Sequence, residues 1–168
     1  MEQRIRTYLA TALGGVLPTH PARGLDWYYD WVVVGDRPVD AVRVLQAYGP
    51  GAPGGPGAPG GPDGVLVDVG SGLGSVVMLA NACGMPAVGV EPVAEEVQLA
   101  RERAVAALPH LGDVFSVGYG ESLPVASGAA SAVLLYDVLE HTPAWREVLA
   151  ECRRVLAPLG ILYVKGPA

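Results

Sequence analysis

The stretch Val65-Leu66-Val67-Asp68-Val69-Gly70-Ser71-Gly72-Leu73-Gly74 decides the reading of this chain. Its first half is a short apolar run ending against glycine, the pattern of a strand buried on both faces of a parallel sheet. Its second half is a glycine-rich turn. Beyond it, Leu73, Val76, Val77 and Ala80 repeat at helical spacing, and Gly84 is placed to cap that helix. Glycines between a strand and a helix permit a tight turn and let backbone approach a ligand without a Cβ in the way. The helix N-terminus favours an anionic group. Downstream, Ala87 to Glu91 reads as a second strand that ends on a carboxylate. A carboxylate there can accept two hydrogen bonds from a ribose diol. Loop plus acid therefore read as a site for a nucleoside-containing cofactor. A dinucleotide fingerprint would space its glycines as G-x-G-x-x-G. Here the third glycine comes one residue early, at Gly74, and Ser75 stands at the dinucleotide position. Nothing in the loop looks prepared for a pyrophosphate.

Working outward, the rest of the chain repeats the strand-then-helix alternation. Pro92 suits the first turn of a helix that carries Val93, Val97, Ala100, Ala104 and Leu108 on one face. Val114 to Gly118 and Ala132 to Tyr136 read as a third and a fourth strand. Thr142 and Pro143 open a helix with Trp145, Val148, Leu149, Cys152 and Leu156 inward, and Gly160 to Lys165 is a fifth strand. The fold class is α/β: a doubly wound, mainly parallel sheet of about five strands with helices on both faces.

Before this unit the pattern differs. Residues 1–48 read as an N-terminal helical and aromatic extension. Ile5, Leu9, Ala12, Leu13 and Val16 lie at helical spacing, and Asp40 to Tyr48 forms another short helix. Trp27, Tyr28, Tyr29 and Trp31 cluster between them; aromatic packing is preferred over a lid, because aromatics more often pack than bind. Residues 49–64 are a Gly/Pro-rich linker that imitates a collagen register for too short a run. Residues 65–168 are the α/β domain.

Composition excludes several classes. Eleven Lys and Arg against 17 Asp and Glu give a formal charge of −6, so an extensive nucleic-acid surface is not expected. No run is long and apolar enough for a membrane span. Cys83 and Cys152 read as two buried thiols of a reducing, cytoplasmic compartment, and the three histidines are too scattered for a metal cluster. The Arg-bearing N-terminus keeps an organellar transit segment as the minor alternative.

With these residues in view, the chain resembles the class I S-adenosylmethionine-dependent methyltransferases, which have a Rossmann-like fold. The resemblance rests on VLVDVGSGLG at Val65 to Gly74, VGVEP at Val88 to Pro92 and ESLP at Glu121 to Pro124. It continues in YDVLEH at Tyr136 to His141 and RRVLAPLGILYV at Arg153 to Val164. The pieces occur in the family's order. The resemblance implies S-adenosyl-L-methionine as cofactor, and it implies roles. Gly70, Ser71, Gly72 and Gly74 would lie under the methionine part, oriented by Asp68. Glu91, followed by Pro92, would bind the ribose hydroxyls. Tyr119, Gly120 and Glu121 would pass the adenine, and Tyr136 and Asp137 would sit near the sulfonium and the acceptor. Asp137 and His141 are the candidates for a catalytic base; no metal is implied.

Three positions depart from the family's pattern. Tyr119 stands where an adenine-binding acid is usual, Ala130-Ser131 replaces a Phe-Asp pair, and Pro158-Leu159-Gly160 replaces Pro-Gly-Gly. The resemblance favours a small-molecule acceptor over a protein and leaves the acceptor itself unidentified. The Asn-Pro-Pro-aromatic motif of nucleobase amino methyltransferases is absent after the fourth strand. The alternative is a non-catalytic methyltransferase-like binding domain. The family's sheet usually runs 3-2-1-4-5-7-6, so the last two strands are expected to be missing here. Ile161 to Val164 would then be an apolar edge prone to self-association, and the chain reads as C-terminally incomplete.

Overall fold

A computed structural model describes residues 1–12, 29–30, 33, 35–48, 64–111 and 113–166. Ten regular elements organise them. Helices α1 (Glu2–Ala12) and α2 (Asp36–Tyr48) come first. Strand β1 (Val65–Val69), α3 (Ser75–Ala82), β2 (Ala87–Glu91), α4 (Ala94–Ala107) and β3 (Phe115–Val117) follow, then β4 (Ala130–Tyr136), α5 (Trp145–Val155) and β5 (Leu156–Lys165). The five strands form one sheet in the order β3-β2-β1-β4-β5, and every pairing is parallel. No helix among the described residues is long and apolar enough to cross a membrane.

The alternation of side chains along the strands builds two cores. On one face, Leu66 of β1 and Ala132 and Leu134 of β4 pack with Val76 and Val77 of α3, Val97 of α4, and Ala41, Val42 and Leu45 of α2. On the other face, Val67, Val69, Val133 and Leu135 pack with Val148, Cys152 and Val155 of α5. A third, smaller cluster joins Ile5 and Leu9 of α1 to Leu73 and Leu99, with Tyr29 and Val33. Helix α1 thus lies on α4 and the glycine turn, with Arg4 paired to Glu102. Buried Arg103 of α4 donates to the carbonyls of Leu73 and Val33 and to the Ser75 hydroxyl, pinning the turn and the segment before α2 together.

Several local readings hold. Gly84 (φ 78°) ends α3: its N–H donates to the Asn81 carbonyl and that of Met85 to the Ala80 carbonyl, the two bonds of a Schellman cap. Others are corrected. Strand β3 is shorter than expected, β4 begins earlier, at Ala130, and α2 begins at Asp36. Helix α5 starts at Trp145, because Thr142 instead closes a local turn, accepting from the Ala144 N–H and donating to Glu121. Trp145 is therefore on the first turn and exposed, stacked under Arg146, and does not point inward. Cys152 is buried, but Cys83, at the end of α3, is exposed. Strand β5 begins at Leu156, which pairs with Ala130; pairing resumes at Ile161 opposite Ala132, after an irregularity that takes in Pro158 and Gly160. Helix α1 is described only to Ala12. Leu13, Val16, Trp27, Tyr28 and Trp31, and all of the linker except Gly64, lie outside the described residues.

Candidate functional site

The site is assembled where β1, β2 and β4 end. Chain reversal after Val69 is tight: the Gly70 and Ser71 N–H groups both donate to the Val90 carbonyl, at 2.8 and 3.2 Å, and Gly74 N–H donates to the Ser71 carbonyl at 2.9 Å. Gly72 N–H donates to Glu91 Oε2 at 3.0 Å, and Val93 N–H donates to Glu91 Oε1 at 3.0 Å. The buried Glu91 carboxylate therefore fixes the turn after β1 to the start of α4. With these bonds made, the Gly70, Ser71, Gly72 and Gly74 donors do not form an open anion cradle.

The glycines serve different ends. Gly70 has φ 72°, and a Cβ on it would lie 2.7 Å from Val138 Cγ2. Gly74, at φ 77°, would put a Cβ 2.5 Å from Phe115 Cζ, so it lets α3 press onto the sheet. Gly74 lines neither of the two pockets described next.

The larger pocket is a cleft of about 390 Å³. Gly70, Glu91 and Pro92 line it together with Tyr119, Gly120, Glu121, Asp137 and His141. Tyr119 is 63% exposed at the rim. Glu121 accepts the Thr142 hydroxyl at 2.8 Å. The smaller pocket, about 40 Å³, lies behind the turn and gathers Asp68, Ser71, Gly72 and Tyr136. Ser71 Oγ is buried with no hydrogen-bond partner, 2.6 Å from where a Cβ on Gly89 would lie. Asp68 is buried, and burial pushes its carboxyl up to about 7, with the Arg37 guanidinium opposing and Glu91 adding to the rise. Asp137 is raised too, chiefly by burial, again opposed by Arg37.

Sequence reasoning missed Arg37, Glu96 and Tyr8. Arg37 stacks over the Tyr136 ring at 4.5 Å and donates to the Tyr136 carbonyl. Glu96 lies beside Gly72 and accepts the Tyr8 hydroxyl, and burial raises its carboxyl. Arg37 and Tyr8 come from residues 1–48, whose spacing along the chain carries no sign of what they touch.

Comparison with known proteins places this geometry. Residues 67–164 match the family model of the methyltransferase domain. The C-methyltransferase NovU of Streptomyces niveus is 31% identical over 103 residues, which is 61% of this chain and 24% of that protein. This chain thus spans about a quarter of the length of that curated relative. Among solved structures, a candidate S-adenosyl-L-methionine-dependent methyltransferase from Methanococcus maripaludis superposes with a TM-score of 0.65 at 18% identity, over 84% of this chain and 60% of that one. A geranyl diphosphate methyltransferase solved in complex with S-adenosylmethionine gives 0.61 at 23% identity, over 76% and 48%. Those two likenesses show a shared fold, the Rossmann-like sheet; the matched model shows the family. The chain belongs to the class I S-adenosylmethionine-dependent methyltransferase domains.

Proposed function

We propose that this chain binds S-adenosyl-L-methionine, the cofactor of its family, in the 390 Å³ cleft and directs methyl transfer to a small-molecule acceptor. The observation that carries the reading is the coupling of the glycine turn to Glu91 at the mouth of that cleft. The fit rests on three features. The turn's bonded N–H groups suit a ligand with no phosphate. The cleft is within the range of small-ligand sites. Asp68, Ser71 and Gly72 line one small pocket behind the turn, which suits a polar ligand end.

Each Glu91 oxygen accepts one backbone N–H and keeps a lone pair for a ribose hydroxyl. Asp68, Gly70, Ser71 and Gly72 hold the amino-acid end. Gly74 acts indirectly, by keeping the turn against Phe115. Pro92 flanks the ribose, and Tyr119, Gly120 and Glu121 border the adenine. Tyr136 and Asp137 stand beside the reacting centre. The cofactor supplies an already activated methyl group. The chain's part is to align the acceptor and exclude water. Where an acceptor must lose a proton, Asp137 and His141, both lining the cleft, are the candidate bases. Two thiols, neither in a disulfide, suit the cytoplasm. Residues 65–168 form the methyltransferase domain and residues 1–48 its helical extension.

Titration calorimetry with S-adenosylhomocysteine tests the reading. Micromolar binding is expected, and Glu91→Ala should weaken it by about 2–4 kcal/mol through loss of charge-assisted hydrogen bonds. A folded wild-type chain that binds neither S-adenosylhomocysteine nor S-adenosylmethionine would overturn it and leave a methyltransferase-like binding domain.

A further inference from the structure

We propose that Arg37 is a positioning residue for the cleft: from α2, outside the segment that matches the family, it clamps the peptide after β4 and pairs with the Asp137 carboxylate beside the reacting centre. The functional part of this inference rests on the cofactor reading above.

The geometry turns on one peptide group. The Tyr136–Asp137 peptide has its carbonyl bonded by Arg37 Nη2 and its N–H bonded to the Lys165 carbonyl at 2.8 Å. It is held from both sides, so it cannot swing without breaking two hydrogen bonds. Asp137, which follows, is one of only two non-glycine residues with positive φ among the described residues, at 54°. Asp is among the few side chains that tolerate this left-handed conformation, and the two bonds on the preceding peptide hold it there. The same guanidinium packs on the Tyr136 ring and lies 3.9 Å from Asp137 Oδ2. One side chain thus fixes both the turn and the electrostatics of the acid it presents.

The charges around Asp137 come from three elements. Arg37 comes from α2, Lys165 from β5, and Glu140 and His141 from the turn Leu139–His141. Burial disfavours the charged carboxylate, and Glu140 does so too. Arg37 is the largest opposing influence, with Lys165 and His141 behind it. Removing Arg37 therefore leaves burial less opposed, and Asp137 takes up a proton at higher pH. An ionised Asp137 favours a sulfonium cation over a neutral thioether, so the preference for S-adenosylmethionine over S-adenosylhomocysteine should fade as pH falls through the Asp137 midpoint.

The test follows the carboxyl carbon of Asp137 by NMR through a pH titration of the ligand-free chain. Arg37→Gln should raise its midpoint by about one pH unit, and Arg37→Lys, which keeps the charge, should restore most of the difference. Calorimetry with the two ligands should show the pH at which their affinities converge moving up in Arg37→Gln by the same amount. A midpoint unchanged in folded Arg37→Gln overturns the proposal. Should that variant fail to fold, the wild type still decides: the Arg37 guanidinium resonances must titrate with the Asp137 midpoint, and their failure to do so also overturns it. Absence of binding by either ligand would defeat the cofactor reading alone, since the carboxyl titration needs no ligand.

Discussion

Asp68 lies on the face of β1 that also carries Leu66, where the neighbouring strands supply Ala132 and Leu134, and it is only 3% exposed. The cost of ionising it there makes its carboxyl a pH sensor of stability. Its folded value of about 7 stands above the unfolded 3.8, so between those limits the native state binds the extra proton. The contribution of Asp68 to stability is then greatest below pH 4, falls as pH rises to about 7, and is flat beyond. The slope approaches about 1.3 kcal/mol per pH unit at most. Glu96 and Asp137, raised chiefly by burial, act in the same direction. Asp68→Asn should therefore flatten the dependence of urea midpoints on pH between 5 and 8; a variant that keeps the wild-type slope would show that Asp68 ionises normally. At this scale much was legible. Gly70, Gly72 and Glu91 announced themselves because a strand, a glycine turn and a second strand ending on an acid are adjacent in sequence. Arg37 did not, since a long-range stacking partner leaves no periodic trace.

Among the elements, β5 is where local signals misled. The sequence starts the strand at Gly160, yet Leu156 already pairs with Ala130 and Ile161 with Ala132, and the chain between them arches out of the ladder. The arch uses Gly160 and Leu159 differently. A Cβ on Gly160 would meet the Ala157 carbonyl oxygen at 2.9 Å, so glycine is needed there. Leu159 takes φ 65° with its side chain 72% exposed, bearing the strain of a left-handed conformation with little burial in return. Leu159→Gly, which restores the family's Pro-Gly-Gly, should raise stability by about 1 kcal/mol, seen as a higher denaturant midpoint with an unchanged slope. No gain would mean that the larger backbone entropy of glycine in the unfolded chain cancels the relief. The start of α5 was misplaced for a similar reason: Thr142 has the chemistry of a helix cap, but its hydroxyl is engaged by Glu121 and by a turn that closes before the helix. Longer-range pairing decided both boundaries.

For the molecule as a whole, the parallel sheet was readable from the regular alternation of apolar runs and helical stripes, and its order was implied by family resemblance. What covers it was less readable. On the face covered by α5, Leu162 (36% exposed) and Val164 (47%) of β5 lie beside Val133 and Leu135 but stay partly exposed, and β5 pairs only with β4 among the described residues. An apolar strand with one free edge invites another strand. The chain as it stands should therefore show a mass above that of a monomer, rising with concentration, in size-exclusion chromatography with light scattering. Leu162→Lys should shift it toward monomer, and a monodisperse wild-type monomer would refute the prediction. The other face is closed by α2, whose Ala41, Val42 and Leu45 share a core with the sheet. Evolutionary kinship and mechanical unity therefore have different borders in this chain. A fragment cut at residue 65 would inherit the recognisable motifs and lose the wall behind them, and its silence in a binding assay would report a collapsed scaffold, whatever the motifs can do.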